Sequence, residues 1–337
     1  MKQILATKNS EDILYNLAPI EHKWAWDLLD KSLKNHWHPN EIGIGNDILA
    51  FQKLSIEEKH LFTSVFATLT TSDICIQRNL AICVYEAIAA PEISCFIGNQ
   101  IKEEVIHSIT YQYVIEHLGL DEDFIYNLYK NIPEIAQKFE LASFYSRFLT
   151  DYQKKKDVND LLIGLIFYYL CFEGGWFYNG FSPIFALKRK GFMLGASEQL
   201  QYIMRDEAQH TIFGSILLKN LLKETDHKIT QHTIDSIFKD AVKAEEIYSK
   251  YAIPTITGYS ADMHIGQLKY LLNRRAKAIG FEKVFPDAVN ELPWLDEMIN
   301  IRKEANFFET KVTEYQTGTG AFKDFENSGI DSVLNWK

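Results

Sequence analysis

The sequence predicts an all-α fold, a helical bundle with a dinuclear metal site in a four-helix core. Three observations carry that reading. Apolar residues recur at three- and four-residue spacing over long segments, while the alternation expected of strands is nearly absent. Helix punctuation is explicit: "SIEE" places Ser55 and Glu58 as a capping box, and Gly119 follows Leu118 as a C-terminal stop. Finally, two Glu-x-x-His pairs sit on apolar helices, each with another acid about one helix upstream.

Taken in order, the capping box opens a helix running through "LFTSVFATLTTSDICIQRNLAICVYEAI" to the break at Pro91. A second spans about 92–118, and shorter helices fall within 122–150. A long apolar helix covers about 158–188 and is followed by the loop "KGFMLGAS". Further helices are expected at about 197–223, 229–250 and 261–279. No glycine-rich phosphate loop, low-complexity tract or linker interrupts them, so residues 1–310 read as one domain. The last stretch, 311–337, is rich in Gly, Thr, Ser and Asp without helical period and reads as a mobile tail.

Composition narrows the function. With 337 residues, 47% hydrophobic and 24% charged, the chain can bury a large core. A net charge of −10 disfavours nucleic acid as a partner. The short basic runs at 154–156 and 188–190 read as solvated faces. Cys75, Cys83, Cys95 and Cys171 form no C-x-x-C pair, which suggests reduced thiols in a cytosolic compartment. The N-terminus has no signal-peptide pattern. "LLIGLIFYYLCF" stops at Glu173, short of the ~20 residues of a membrane span. A cytoplasmic protein with no membrane segment is the expectation.

The motif E-x-x-H occurs four times, so alone it means little. Glu57–His60 and Glu224–His227 lie among charged residues and read as surface. Glu104–His107 and Glu207–His210 lie on apolar helices. Asp73 precedes Glu104 by 31 residues, and Glu173 precedes Glu207 by 34. At ~1.5 Å per residue, such pairs meet halfway along a helical hairpin. The chain therefore carries the same unit twice, and two hairpins packed as a bundle would bring six side chains together. An unpaired carboxylate in a dry interior costs many kcal/mol. Two divalent cations cancel the charge of four, and the two imidazoles add one nitrogen each. Oxygen-rich ligation without thiolate favours iron or manganese over structural zinc. The pattern resembles ferritin-like di-iron and di-manganese bundles, with Asp73 in place of one Glu. The alternative is neutralisation by Arg78 or Arg205.

At this point whole segments resemble a known family, the small, radical-generating subunit of class I ribonucleotide reductase. "NHWHPNEI", "SDICIQRN", "EVIHSITY", "FEGGWFYNGF", "RDEAQH", "NRRAKAIGF" and "PWLDEMINIRKEANFFETKVTEYQTG" carry the likeness in order and spacing across nearly the whole chain. The resemblance implies that Asp73, Glu104 and His107 ligate one metal and Glu173, Glu207 and His210 the other, with carboxylates bridging. The cofactor it implies is two metal ions, foremost iron, with Mn/Mn or Mn/Fe as alternatives.

It also implies that Tyr111, one turn past His107, stores a radical. Phe177 and Phe181 would form an apolar pocket around it. Asp206 would link His107 to Trp37 on the route to the partner, and Tyr315 in the tail would continue it. The implied function is the beta subunit of a ribonucleoside-diphosphate reductase. It would act as a homodimer, dock the large (alpha) subunit through its C-terminal tail, and admit a flavoprotein or ferredoxin activator. The ending "DSVLNWK" departs from the family's acidic, Phe-rich tail and puts Trp336 forward as the apolar anchor. An oxygenase or desaturase component would not need Trp37, Tyr111 and Tyr315 together, and an iron-storage shell would not need the tail. Gly174 and Gly175 beside a ligand cost roughly 1 kcal/mol each in a helix interior. They suggest a π-bulge that lets Glu173 change its coordination.

Overall fold

The computed structural model describes residues 2–6 and 15–295. Tyr315, Trp336 and the boundary expected at 310 lie outside the described residues. Within them the chain is helical, with no strand and two isolated bridges, Leu5 to Ile88 and Ile256 to Tyr259.

Helices α1 (Lys23–Lys34) and α2 (Gly45–Lys53) lead into α3 (Ile56–Asn79), which continues through a π-helical turn, Leu80–Val84, to Ala87. The Ser55 hydroxyl accepts from the Glu58 amide and the Glu58 side chain accepts from the Ser55 amide, as the capping box requires. Helix α4 (Pro91–Leu118) starts on its proline and stops at Gly119, whose φ of 65° suits glycine. Next come α5 (Glu122–Asn131), α6 (Pro133–Lys155) and α7 (Val158–Ile166). The last runs into a π-helical segment, Phe167–Phe177, and on to Gly180. Then follow α8 (Ser182–Arg189), α9 (Leu194–Glu224), α10 (Gln231–Ala252) and α11 (Ala261–Ala278).

Helix α9 begins at Leu194, three residues before the Ser197 end expected from the loop. Asp47 on α2 explains the difference. Its carboxylate accepts from the Gly195 and Ala196 amides at 3.2 and 2.7 Å and caps the helix from a distant part of the chain.

Packing sets up the site. Helix α3 lies on α4, and α9 lies on the π segment; α4 and α9 then pack against each other. The two helices bearing Glu-x-x-His thus form the seam between two hairpin units. The stretch Val158–Arg189 is long and apolar enough to cross a membrane, yet 94% of its most apolar window is buried inside the bundle. It is the central core helix, and its hydrophobicity on every side is what burial on every side requires.

A candidate dinuclear metal centre

Asp73, Glu104, His107, Glu173, Glu207 and His210 converge, and each is 0% exposed. Two groups of ligand atoms emerge, each with its atoms within 4.8 Å of one another. One is Asp73, Glu104 and His107; the other is Glu104, Glu173, Glu207 and His210. Glu104 belongs to both. Its Oε2 lies 3.3 Å from His107 Nδ1 and its Oε1 lies 3.2 Å from His210 Nδ1. Glu207 spans the halves likewise, with Oε1 at 3.2 Å from His107 Nδ1 and Oε2 at 3.3 Å from His210 Nδ1. Two carboxylates therefore straddle the seam. Asp73 and Glu173 flank it, with Glu173 Oε2 at 3.4 Å from His210 Nδ1.

The cluster fits a cation pair. Both oxygens of Asp73, both of Glu104, Glu207 Oε1 and His107 Nδ1 are buried without a hydrogen-bond partner, and all belong to this one cluster. Buried polar atoms are paired in folded proteins with few exceptions, so this many facing one another is the imprint of an ion. Neither arginine that the sequence put forward neutralises them. Arg205 pairs with Asp206 and the Asn35 carbonyl, and Arg78 is exposed. The other two Glu-x-x-His copies stay outside, His60 on the Tyr251 carbonyl and His227 on the Leu222 carbonyl.

Electrostatics tell the same story. Burial, then the charge of Glu104, pushes the Asp73 carboxyl well above its usual range. Burial, then Glu207 and Glu104, does the same to Glu173. Burial opposes charge on His107, but Asp206, Glu104 and Glu207 outweigh it and hold the imidazole well above its ordinary value. Glu207 and other carboxylates likewise overcome burial at His210. Glu207 itself is buried yet held low by Glu173 and the two histidines. Without cations, the cluster must share protons to cancel its own charge.

Around the ligands lies a set of orienting contacts. Asp206 Oδ2 accepts from Trp37 Nε1 at 2.8 Å and sits 3.4 Å from His107 Nε2, so the expected chain His107–Asp206–Trp37 is continuous. Trp37 is 2% exposed, no surface anchor. The other histidine has a counterpart that sequence reading missed: Glu103 Oε2 lies 3.0 Å from His210 Nε2. Ser32 on α1 donates to Glu103 and receives a hydrogen bond from Asn99 at 2.6 Å. Each half thus orients the histidine of the other. The signal was present as a doubled acid, "EEVIH" and "DEAQH". Gln100 Nε2 donates to Glu173 Oε1 at 3.1 Å, and Tyr169 donates to Gln100 Oε1 at 3.2 Å.

Tyr111 is 0% exposed, and its hydroxyl has no hydrogen-bond partner. Burial, followed by the charges of Asp73, Glu207 and Glu104, drives the phenol's pKa far up. The ring packed on it is Phe66, edge-on at 6.1 Å. Phe177 and Phe181 are buried on the Glu173 helix in a row with Phe172 and Phe185.

The distortion expected at Gly174 and Gly175 is present and longer than expected, an eleven-residue π segment with Glu173 inside it. A Cβ on Gly174 would stand 2.8 Å from Arg275 Nε and from Thr211 Cγ2. The glycine lets Arg275 donate to its carbonyl at 3.0 Å.

The family model for "Ribonucleotide reductase, small chain" matches residues 14–293. Among curated relatives, the ribonucleoside-diphosphate reductase subunit beta of Chlamydia pneumoniae is 32% identical over 326 residues, 94% of each chain. The small subunit of the same enzyme from Dictyostelium discoideum is 32% identical, covering 89% of this chain and 85% of that one. The ribonucleotide reductase R2 subunit from Clostridium botulinum superposes with a TM-score of 0.76 at 26% identity, covering 85% of this chain and 90% of that one.

Proposed function

Because the chain belongs to the ribonucleotide reductase small-chain family and is the small subunit of a ribonucleoside-diphosphate reductase, we propose that its buried cluster is the dinuclear centre and Tyr111 the radical store. Asp73 and His107 would hold one metal, Glu173 and His210 the other, and Glu104 and Glu207 both. Iron is the proposed metal, with Mn/Mn or Mn/Fe as the alternatives the same donor set accepts. When bound, the pair supplies the oxidising power, drawn from dioxygen, that removes an electron from a phenol.

The rest is the work of this chain's side chains. Tyr111 gives up the proton on its hydroxyl, and Asp73, whose charge acts on that hydroxyl more strongly than that of Glu207 or Glu104, would accept it. Full burial and the Phe66 ring keep reductants and water from the resulting radical. Asp206 bonds Trp37 and faces His107, which makes Trp37 the exit toward the large subunit. Tyr315 and the tail 311–337 would complete that path and the docking. We further place the subunit in the cytoplasm as a homodimer, open to a flavoprotein or ferredoxin activator. Helix α3 with its π-turn continuation exposes Ile74 and Ile82, and α4, packed on it, exposes Val105 and Ile109, apolar side chains suited to contact with a second copy.

The observation that carries the reading is the set of orphaned carboxylate oxygens meeting across Glu104. Low-temperature EPR with metal analysis, after anaerobic Fe(II) loading and exposure to oxygen, tests it. Two metals per chain and a tyrosyl signal lost in Tyr111→Phe are expected. A signal unchanged by that substitution refutes the assignment.

A further inference from the structure

The π segment is braced along one side by a single helix. On α11, His264, Leu268, Leu272 and Arg275 follow one another at helical spacing and share a face. Asn179 donates to the His264 carbonyl at 2.8 Å. A Cβ on Gly175 would stand 3.2 Å from Leu272 Cδ2 and 3.3 Å from Leu268 Cδ1. Arg275 Nε then donates to the Gly174 carbonyl at 3.0 Å. The two stretches run antiparallel, so α11 meets Asn179 first and reaches the peptide after Glu173 last.

Arg275 is 1% exposed, and its guanidinium carbon lies 5.4 Å over the Tyr178 ring. Burying a permanent cation is costly, so its place here needs a reason. The backbone supplies one. In an α-helix the Tyr178 amide would bond the Gly174 carbonyl, four residues back. Here it bonds the carbonyls of Glu173 and Gly175 and passes Gly174 by. The acceptor that Tyr178 gives up is the one that Arg275 takes. Gly174 admits the guanidinium because it has no side chain; a Cβ there would stand 2.8 Å from Nε.

We propose that Arg275 is a positioning residue for the metal centre: by holding the Gly174 carbonyl it keeps the coil wide at Glu173, and so keeps the Glu173 carboxylate in the cluster. The proposal rests on the functional reading above for the metals but not for the coil. A donor at Nε competes directly with the Tyr178 amide for one oxygen. Remove it, and the ordinary bond from Tyr178 to Gly174 returns, the turn tightens, and Glu173 Oε2 is drawn from its place 3.4 Å from His210 Nδ1. Asp73 and His107 stand on other helices, α3 and α4, so the effect falls on one half of the centre.

Two variants isolate the donor from the charge. Arg275→Met ends in a methyl where Nε stood, whereas Arg275→Gln places a neutral N–H at the same position along the side chain; both lose the cation. Crystals of the metal-free proteins and Co(II) titration followed by d–d absorption read the outcome. In Arg275→Met the Tyr178 amide should return to the Gly174 carbonyl, and the second Co(II) should bind ~10–100-fold more weakly with the first unchanged. Arg275→Gln should restore both. A role in packing or charge alone would move the two variants together, and equal loss in both overturns the proposal. So does Arg275→Met with the Tyr178 amide still on Glu173, or with both ions weakened alike. Should Arg275→Met not fold, the Arg275→Gln crystals decide: Nε2 on the Gly174 carbonyl upholds the role, and an amide turned elsewhere with the coil still wide overturns it. A wild type that binds fewer than two Co(II) would instead sink the functional reading, and the crystal comparison would still judge whether Arg275 holds the coil.

Discussion

One methyl group on α9 offers a sharp test of how the site is held. Gly214 packs its backbone against the Tyr169 ring, and a Cβ there would stand 2.1–2.4 Å from three ring and side-chain carbons. The ring must retreat by about 1.5 Å to regain an ordinary carbon–carbon separation. Tyr169 is fully buried, so it has nowhere to go without pulling its hydroxyl from Gln100, and Gln100 in turn steadies Glu173. Ala normally stabilises a helix interior over Gly by about 1 kcal/mol. Overpacking of this severity costs about 3 kcal/mol. A lost neutral hydrogen bond adds about 1 kcal/mol. Gly214→Ala should therefore destabilise by about 3 kcal/mol on these three contributions. Gly98→Ala is the control, since its Cβ meets only Tyr85 Cε2, at 3.9 Å, and it should gain stability. Urea denaturation of the metal-free proteins measures both, and metal titration reads the consequence at Glu173. A Gly214→Ala midpoint at or above wild type would refute the packing argument.

Further outcomes follow from the same contacts. Glu103→Ala removes the partner of His210 Nε2 and strands Ser32 and Asn99; metal affinity should fall ~10–100-fold, with partial rescue in Glu103→Asp. Equilibrium dialysis against Fe(II) or Co(II) measures it, and unchanged affinity would remove Glu103 from the site. In the metal-free protein Asp73, Glu173, His107 and His210 are all raised, so the stability they contribute is complete below their unfolded values and lost as pH rises through the folded ones. That loss starts near ~4 for the acids and ~6.5 for the imidazoles, whereas Glu207 and Asp206, held low, lose their contribution as pH falls below ~4. Melting temperature should drop from pH 6 to 8 without metal, and metal uptake should release protons and tighten with pH; calorimetry in buffers of different ionisation enthalpy would expose proton-neutral uptake, the contrary result. Lys138→Met leaves Glu245 buried without its ammonium and should cost ~3–5 kcal/mol, partly recovered by adding Glu245→Gln. Equal stability of single and double variants by denaturation would dismiss that pair as a stabilising unit.

The six converging side chains were legible because helical spacing and repetition encode them directly. An acid, a turn and an acid-x-x-His can meet in few ways, and a second copy at the same spacing leaves fewer. The glycine pair after Glu173 was legible too, since two glycines inside a core helix demand a reason. Other features depend on how separate helices rotate against one another, which periodicity does not record. Glu103 reaches His210 only because α4 and α9 face across the seam. Phe66 looks like any core phenylalanine on α3 until Tyr111 is set against it. Asp47 caps α9 from a segment nearly 150 residues away in sequence, and no local pattern announces that. The length of the π segment and the second π turn at Leu80–Val84 likewise exceed what glycine alone signals.

The widened segment around Glu173 has a consequence for how this bundle tolerates change. An i→i+5 stretch holds one residue more than the α-helix that would occupy the same space. Trimming a single residue from Phe167–Phe177 would tighten the coil into an ordinary ladder. The flanking helices could keep their places, but side chains within the segment would turn by up to about 100° from where they now point. Glu173 could then face the histidines, or Phe177 and Trp176 could keep their berths, but not both. Length in this stretch is therefore as discriminating as residue identity, and a one-codon deletion here should be harsher than most substitutions.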